Sequence, residues 1–323
     1  MSASTLLVTG GSGFLGGALL RKLAERGEYS LRTAIRRDSV ALPASVLKFN
    51  VPDLTATADW QDALAGVDVV VHAAARVHVM DEQAGDPLAE FRLINVDGTL
   101  NLARQAVKAG VRRFIYISSV KVNGESTVAG RAFTADDPFA PTDPYGISKC
   151  EAEEALRQLS SSSPMEVVIV RPVLVYGPGV KANFLSMMRW LERGVPLPFG
   201  AIDNKRSLVG IDNLIDLIVT CFSHPAAANQ TFFASDGDDV STTELLRRIG
   251  HALNKPARLM PFPVPLMRLG ARLVGKEALA QRLFGSLQVD ISKNGRLLGW
   301  VPPVSLDQGL SATVRAYLES HKS

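Results

Sequence analysis

Residues 6–16 read Leu6-Leu7-Val8-Thr9-Gly10-Gly11-Ser12-Gly13-Phe14-Leu15-Gly16, an apolar run that leads into a glycine-rich turn. The run predicts a buried strand, and the helical spacing of the apolar residues after the turn predicts a helix. Gly10 permits a tight bend, Gly13 lets the backbone approach a pyrophosphate, and Gly16 lets the helix pack close to the strand. The amides at the start of that helix, around Phe14 and Leu15, are expected to bind the phosphates of a dinucleotide.

Strand-like and helix-like segments alternate through the first half of the chain. Strands are predicted at residues 5–9, 31–35, 46–49, 67–72, 113–118 and 167–170. Helices are predicted at residues 14–26, 59–65, 87–109 and 144–159. Because parallel strands are joined by helical crossovers, this alternation predicts an α/β fold with a doubly wound, Rossmann-like parallel sheet covered on both faces.

The regular alternation ends after Pro172, where prolines and glycines divide the chain into short segments. We predict a dinucleotide-binding domain over residues 1–172, rejoined by a segment of about 206–234, and a smaller interleaved substrate domain over most of residues 173–323. Asp212 is predicted to cap a helix in the returning segment. Basic and apolar residues mix between 258 and 282, where three early prolines favour a packed cap helix over a membrane-surface attachment.

The composition excludes several classes of protein. The 35 Lys and Arg residues nearly balance the 32 Asp and Glu residues, so nothing indicates nucleic-acid binding. The two cysteines, Cys150 and Cys221, lack metal-site spacing and indicate a reducing compartment. No apolar run approaches the roughly 18 residues of a membrane span, so no stable membrane insertion is expected. The first residues do not resemble a signal peptide, and a cytoplasmic location is expected.

The stretch Tyr145-Gly146-Ile147-Ser148-Lys149 carries the second decisive motif. Asp143 is a good N-cap and Pro144 a good first helical residue, so a helix is predicted to begin here. Tyr145 and Lys149 are four residues apart and therefore share one face of that helix. A lysine ammonium and the positive end of a helix both favour a phenolate, so we expect a lowered pKa for Tyr145.

The G-x-x-G-x-x-G turn and the Tyr-x-x-x-Lys motif resemble the extended short-chain dehydrogenases/reductases, in particular the NAD-dependent epimerase/dehydratase family. The resemblance runs through most of the chain, as far as residues 298–303. It implies that Tyr145 exchanges a proton with a sugar oxygen during hydride transfer and that Lys149 holds the nicotinamide ribose. Alignment through Gly124 implies that Ser119 contacts the reacting oxygen, with Ser118 as the alternative.

The resemblance also implies contacts to the rest of the cofactor. Asp53 and Leu54 match the adenine contact that follows the third strand, and Asn95 matches a helix residue that supports the active site. Small side chains that match the strand end beside the nicotinamide are those of Ala73, Ala74 and Ala75.

The choice between NAD and NADP depends on the end of the second predicted strand. NAD enzymes usually place an acidic residue there to bind the ribose hydroxyls, whereas a 2′-phosphate attracts arginine. This chain has Arg36 and Arg37, followed by Asp38. The two arginines favour NADP, and Asp38 leaves NAD possible.

A nucleotide sugar is the substrate that the resemblance implies. The residues of the second half that match contacts to the nucleotide diphosphate or base are Asn183, Phe199, Arg206 and Arg282. Arg76 and His78 lie in a stretch similar to bacterial enzymes that reduce 4-keto-6-deoxy sugar nucleotides for surface polysaccharide, so they are candidates for sugar contacts. Singly, each of these six residues also fits a surface charge, a loop or a core aromatic; together they favour a UDP-linked sugar.

Three functions follow from the resemblance. The leading one is NADPH-dependent reduction of a UDP-4-keto-6-deoxy-N-acetylhexosamine in O-antigen biosynthesis. Its alternative is a UDP-sugar 4-epimerase with tightly bound NAD, and a non-catalytic NAD(P)-binding protein is a third. Family dehydratases carry Asp-Glu after the active-site hydroxyl, where this chain has Val120 and Lys121, so dehydration is disfavoured. A homodimer built on the helices at 87–109 and 144–159 is expected by analogy.

Overall fold

Nine strands lie within the part of the chain that the structure describes. The structure, a computed structural model, describes residues 3–36, 42–51, 53–77, 85–128, 130–275 and 277–321. The strands in chain order are β1 (Thr5–Thr9), β2 (Ser30–Ile35), β3 (Val46–Asn50), β4 (Val69–His72), β5 (Arg113–Ile117), β6 (Glu166–Pro172), β7 (Leu174–Tyr176), β8 (Leu208–Gly210) and β9 (Thr231–Ala234).

Seven of these strands form one parallel sheet in the order β3-β2-β1-β4-β5-β6-β9. The strand order reverses between β1 and β4, so a crevice opens at their carboxyl ends. This arrangement confirms the predicted doubly wound α/β fold. The remaining strands, β7 and β8, pair in a separate small parallel sheet.

Helices cover both faces of the large sheet and build the second half of the chain. Within the described residues they are α1 (Phe14–Arg26), α2 (Gln61–Leu64), α3 (Pro87–Arg92), α4 (Thr99–Lys108), α5 (Pro144–Ser161), α6 (Ala182–Glu192), α7 (Ile211–Ser223), α8 (Thr242–Ala252), α9 (Val264–Leu273), α10 (Glu277–Phe284), α11 (Ser292–Leu298) and α12 (Leu306–Ser320). None of them is long and apolar enough to cross a membrane.

Two apolar layers hold the sheet between its helices. On one face, α1 and α7 bury residues such as Leu19 and Leu214 against the strands. On the other face, α4 and α5 bury residues such as Leu102 and Leu156. Each fully buried leucine contributes about 1.5–3 kcal/mol relative to an exposed one, so the two layers fix the strand ends on which the site is built.

A third apolar cluster joins α6, α8 and α12 through residues such as Met188, Leu246 and Leu310. The segment between 206 and 234 supplies β8, α7 and β9, of which β9 pairs with β6 in the large sheet. The division into two domains stays a prediction.

The continuous helix predicted at 87–109 is interrupted. Residues Leu93–Gly98 form a π-turn between α3 and α4. A Cβ on Gly98 would overlap the backbone of Leu54, and the Asn95 side chain is buried in a network described below. The wider turn therefore accommodates contacts that a regular helix would misplace, as π-turns at functional sites commonly do.

One further expectation is corrected. The N-cap of α7 is Gly210, and Asp212 lies inside the first helical turn, where it pairs with Lys22 at 3.8 Å. The packed helix expected near residues 258–282 includes α9, which packs through Val264, Met267 and Ala271, although none of its residues is fully buried.

Candidate active site

The glycine turn between β1 and α1 forms a close backbone approach at the centre of the sheet. Gly10 has a left-handed φ of 73°, and a Cβ there would lie 2.8 Å from the amide nitrogen of Ala74. A Cβ on Gly16 would overlap the carbonyl oxygen of Gly10. Gly13 is the N-cap of α1, and no side chain among the described residues caps that helix. The free amides at its start, beside Phe14 and Leu15, suit an anionic pyrophosphate.

Small residues line the adjacent end of β4. Ala73, Ala74 and Ala75 follow the strand and are only partly buried, and the amide of Ala74 donates to Thr9 Oγ1 at 3.2 Å. Their short side chains leave the crevice next to Gly10 open to a flat group such as the nicotinamide. This placement fits the predicted contacts, which remain a proposal.

His72 supports this crevice from inside the core. Its ring lies between Thr9 Oγ1, at 2.7 Å from Nδ1, and Thr99 Oγ1, at 2.9 Å from Nε2. Burial lowers the pKa of His72 to about 3. The residue is therefore a neutral structural bridge between β1, β4 and α4, and no cluster of metal-ligating residues occurs in the described part of the chain.

A pH dependence of stability follows from this burial. The folded pKa lies below the unfolded value of about 6.5, so the contribution is complete above pH 6.5 and is lost as the pH falls towards 3. Between pH 7 and pH 5, the free energy of unfolding should fall by about 2 kcal/mol more in the native protein than in His72→Gln. Urea denaturation at both pH values checks this. The exposed-residue variant His251→Gln should keep the native dependence; equal slopes for native protein and His72→Gln would contradict the assignment.

The predicted adenine and ribose contacts lie at the outer end of the sheet. Asp53 is exposed and lines a cleft of about 440 Å³ at the end of β3, and Leu54 is half-buried beside it. Arg36 follows β2 and is exposed, while Arg37 lies outside the described residues. The cleft and Arg36 adjoin the strand ends where the adenosine half of a dinucleotide would lie.

Asn95 ties the π-turn to α5. Its side-chain oxygen accepts from the amide of Arg76 at 2.8 Å, and its nitrogen donates to Arg76 O at 3.1 Å and to Ser148 Oγ at 3.0 Å. Asn95 therefore fixes the backbone after β4 relative to α5, a geometry that only the folded chain reveals.

Ser119, Tyr145 and Lys149 meet at the carboxyl end of β5. Asp143 caps α5 by accepting from the Gly146 amide at 2.6 Å, and Pro144 is the first helical residue, as predicted. Tyr145 is hydrogen-bonded to the Ser119 side chain. The Lys149 Nζ lies 5.9 Å from the Tyr145 ring centre and donates to Ile117 O at 2.8 Å. The buried Ser118 hydroxyl has no partner among the described residues, so the geometry favours Ser119 over Ser118.

The expected lowering of the Tyr145 pKa is wrong for this structure. Burial, aided by the negative charge of Asp143, raises the pKa of Tyr145 to about 12, although the hydrogen bond with Ser119 lowers it. Burial also lowers the pKa of Lys149 to about 7, so its charge near neutral pH is incomplete. The phenol of Tyr145 is therefore mostly protonated near neutral pH in this structure.

Two ion pairs that hold this centre were not anticipated. Lys121, in the turn after Ser119, pairs with Asp143 and lies 2.8 Å from Glu125. This bridge ties the Ser119 turn to the start of α5. The only sequence signal was a lysine placed two residues beyond Ser119 and a carboxylate two residues before Tyr145.

The second pair is fully buried. Glu153 on α5 accepts from Arg171 on β6 at 2.9 Å and 2.6 Å, and neither side chain reaches solvent. Arg171 also donates to Asn123 Oδ1 and Ala135 O, at 3.0 Å and 3.1 Å. Glu153 lies one turn after Lys149, so the pair anchors α5 to the sheet.

Arg206 and Arg282 lie near each other in the second half of the chain. Arg206 is partly buried and donates to Gly285 O at 3.1 Å, and its pKa is lowered by burial and by the nearby charge of Arg282, which is exposed. Like charges at a partly buried place are unfavourable unless an anion lies between them. Residues 287–290 connect this place to the loop after Ser119, through Ser207 N to Leu287 O and Phe133 N to Gln288 O, both at 2.9 Å.

The other predicted substrate contacts are more scattered. Phe199 is half-buried between two apolar clusters, and Asn183 is exposed at the start of α6. Arg76 pairs with Glu90 at 3.5 Å and stacks on Phe91, whose ring also contacts Tyr145. His78 lies outside the described residues.

Comparison with known proteins places this geometry in a family. Residues 6–233 match the family described as the NAD dependent epimerase/dehydratase family. A UDP-glucose 4-epimerase of Vibrio cholerae is 49% identical over 98% of this chain and 96% of its own length. An Escherichia coli O157:H7 protein named N-acetyl-alpha-D-glucosaminyl-diphospho-ditrans,octacis-undecaprenol 4-epimerase is 28% identical over 96% of this chain and 94% of its own length.

Solved structures show the same fold at lower identity. A UDP-glucuronic acid 4-epimerase from Bacillus cereus in complex with NAD has a TM-score of 0.78 at 22% identity, covering 98% of this chain and 99% of that one. A UDP-glucose 4-epimerase from Thermotoga maritima with UDP-glucose has a TM-score of 0.75 at 23% identity, covering 98% of this chain and 99% of that one. The strand order, the glycine turn and the match over residues 6–233 together show that the chain belongs to the NAD dependent epimerase/dehydratase family.

Proposed function

We propose that the protein is a UDP-sugar 4-epimerase that retains its NAD. The observation that carries the proposal is the 49% identity, over nearly the whole chain, to a UDP-glucose 4-epimerase. The choice reverses the order expected from the sequence, in which a 4-keto reductase came first. The hydrogen-bonded Ser119 and Tyr145, with Lys149 one helical turn further on, suit either reaction.

The residues of the chain have separate roles in the proposed reaction. Tyr145 exchanges a proton with the oxygen on the sugar C4, and Ser119 holds that oxygen by a hydrogen bond. Lys149 holds the nicotinamide ribose, and Asn95 keeps the backbone around Arg76 in place. Bound NAD supplies a reversible hydride acceptor. Because Val120 and Lys121 replace the two carboxylates needed for elimination of water, the chemistry stops at exchange of hydride and proton.

The glycine turn, the uncapped start of α1 and Ala73–Ala75 would hold the dinucleotide, with Asp53 and Leu54 at the adenine. We propose NAD over NADP because the family is described as NAD dependent. Arg36 is exposed, so water can solvate its charge and a 2′-phosphate is not needed to neutralise it.

The diphosphate of the substrate is proposed to bind between Arg206 and Arg282, with Phe199 near the base. Further candidate contacts are Asn183, Arg76 and His78. The predicted homodimer is retained as part of the proposal.

The test is interconversion of UDP-glucose and UDP-galactose, and of their N-acetylated counterparts, without added cofactor. We expect epimerisation by the protein as purified, release of NAD on denaturation and no net oxidation of NADPH. Arg36→Asp should leave epimerisation within about threefold of the native rate. Oxidation of NADPH with a UDP-4-keto-6-deoxy-N-acetylhexosamine, abolished by Arg36→Asp, would instead establish the NADPH-dependent reductase.

A further inference from the structure

An apolar surface covers α9 and the segment that precedes it. Six of the fourteen exposed large hydrophobic side chains in the described residues lie within this short stretch, namely Met260, Phe262, Leu266, Leu269, Leu273 and Val274. We call these six residues the α9 surface. Single exposed hydrophobic residues are ordinary, but a contiguous group of this kind marks an interaction site.

The helix α9 has two apolar faces, and only one of them is packed. Val264, Met267 and Ala271 contact a small cluster formed by Ile202, Ala280 and Phe284. Leu266, Leu269 and Leu273 lie on the opposite side, at spacings of three and four residues, and Leu273 is 79% exposed. Packing of Val264, Met267 and Ala271 therefore accounts for the folding of α9. The opposite face, with its three exposed leucines, is available to a binding partner.

The charge around the α9 surface is one-sided. Residues 254–276, from the end of α8 through α9, contain five Lys and Arg residues and no Asp or Glu. Arg258, Arg268 and Arg272 are exposed in the structure, and Arg268 donates to Phe284 O at 3.3 Å, which holds it beside the helix. A helix with exposed leucines and flanking arginines has the character of a segment that lies in the interface of an anionic membrane.

We propose that the α9 surface docks this protein on an anionic phospholipid bilayer. The ten residues of α9 form a helix about 15 Å long, which suits insertion of one face parallel to the membrane plane. A second copy is a poorer occupant, because an isologous contact would bring the same arginines together. The proposal rests on the surface alone and stands independently of the proposed reaction.

Docking would bring the proposed substrate pocket to the membrane surface. The backbone amides of Leu197 and Gly200 donate to Arg258 O and Met260 O, both at 2.9 Å. Residues 197–200, which include Phe199, therefore pair with the start of the α9 surface. Arg268 contacts Phe284, next to the Gly285 carbonyl that accepts from Arg206. The diphosphate site and the α9 surface are therefore built on the same elements.

The first experiment is co-sedimentation of the full chain with vesicles. Vesicles of phosphatidylcholine containing about one third phosphatidylglycerol should bind the protein at low salt, and pure phosphatidylcholine vesicles should bind at least about tenfold less. Binding should weaken in about 0.5 M NaCl, where the arginines are screened. Equal binding to both vesicle types, or no binding to either, would overturn the proposal.

A matched pair of variants locates the contact. Leu269→Glu should lower the partition coefficient for the anionic vesicles by about tenfold or more, whereas Leu47→Glu should change it less than about twofold. The two leucines are exposed to a similar extent, 54% and 56%, and circular dichroism checks that both variants are folded. Leu269→Trp should shift its emission to shorter wavelength when the anionic vesicles are added.

The alternative occupants give different results. Equal losses of binding for Leu269→Glu and Leu47→Glu would overturn the assignment to α9. If Leu269→Glu changed the molar mass in solution and left vesicle binding unaltered, the surface would be a contact between copies of the chain. Epimerase activity with soluble UDP-sugars should be unaltered in Leu269→Glu, so failure of this proposal and failure of the proposed function are distinguishable.

Discussion

Replacing Tyr145 by phenylalanine should lower the turnover of UDP-glucose by about 10²- to 10⁴-fold, the range over which a positioned acid or base accelerates proton transfer. The substitution removes only the hydroxyl that is hydrogen-bonded to Ser119 and leaves the ring against Phe91. We therefore expect unaltered thermal stability and NAD content alongside the lost turnover. Steady-state kinetics and cofactor release on denaturation measure both quantities.

Tyr116 provides the matched control for this prediction. Its ring lies 4.5 Å from the Lys149 Nζ, it is fully buried, and its hydroxyl has no hydrogen-bond partner among the described residues. Tyr116→Phe should therefore change turnover by less than about threefold. Retention of more than about a tenth of the activity by Tyr145→Phe would remove Tyr145 from the proposed mechanism.

Breaking the buried ion pair of α5 should have the largest effect on stability. Glu153→Gln removes the charge that neutralises the buried Arg171, and we expect a loss of about 3–5 kcal/mol in the free energy of unfolding. Chemical denaturation monitored by circular dichroism measures the loss. The double variant Glu153→Leu with Arg171→Met should recover much of it, because well-packed apolar residues replace buried pairs at little cost.

The control for this prediction lies two residues earlier on the same helix. Glu151 accepts from Arg92 in a bidentate pair with a shortest distance of 2.6 Å, but both side chains are partly exposed to solvent. Glu151→Gln should cost less than about 1 kcal/mol. Similar losses for Glu151→Gln and Glu153→Gln would show that burial does not decide the strength of these pairs.

The sequence predicted the elements whose formation depends on neighbours along the chain. The strand over residues 5–9, the helix over 14–26 and the cap by Asp143 agree with β1, α1 and the start of α5. The spacing of apolar residues and the identity of helix-capping residues are local properties, so they can be interpreted without knowing the fold. The helix predicted at 87–109 was wrong at its centre, because the demand for a π-turn comes from Leu54, Arg76 and Ser148, which are distant in sequence.

Protonation states could not be predicted in the same way. The sequence places Lys149 one turn from Tyr145, and proximity alone indicates a lowered tyrosine pKa. In the folded chain, burial of both groups raises the pKa of Tyr145 to about 12 and lowers that of Lys149 to about 7. The loss of hydration around a titratable group depends on all the residues packed against it, so it cannot be predicted from the spacing of two residues in the sequence.

By itself, the sequence determined the glycine turn, the alternation that produces a doubly wound sheet and the Tyr-x-x-x-Lys spacing, because each is encoded by residues close together in the chain. Only the tertiary structure decided that Ser119 and not Ser118 meets Tyr145, that Glu153 and Arg171 form a buried pair, and that Leu266, Leu269 and Leu273 lie outside the core. The physical reason is that burial and side-chain pairing are set by contacts between segments far apart in the chain, and these contacts exist only once the sheet and its helices have packed.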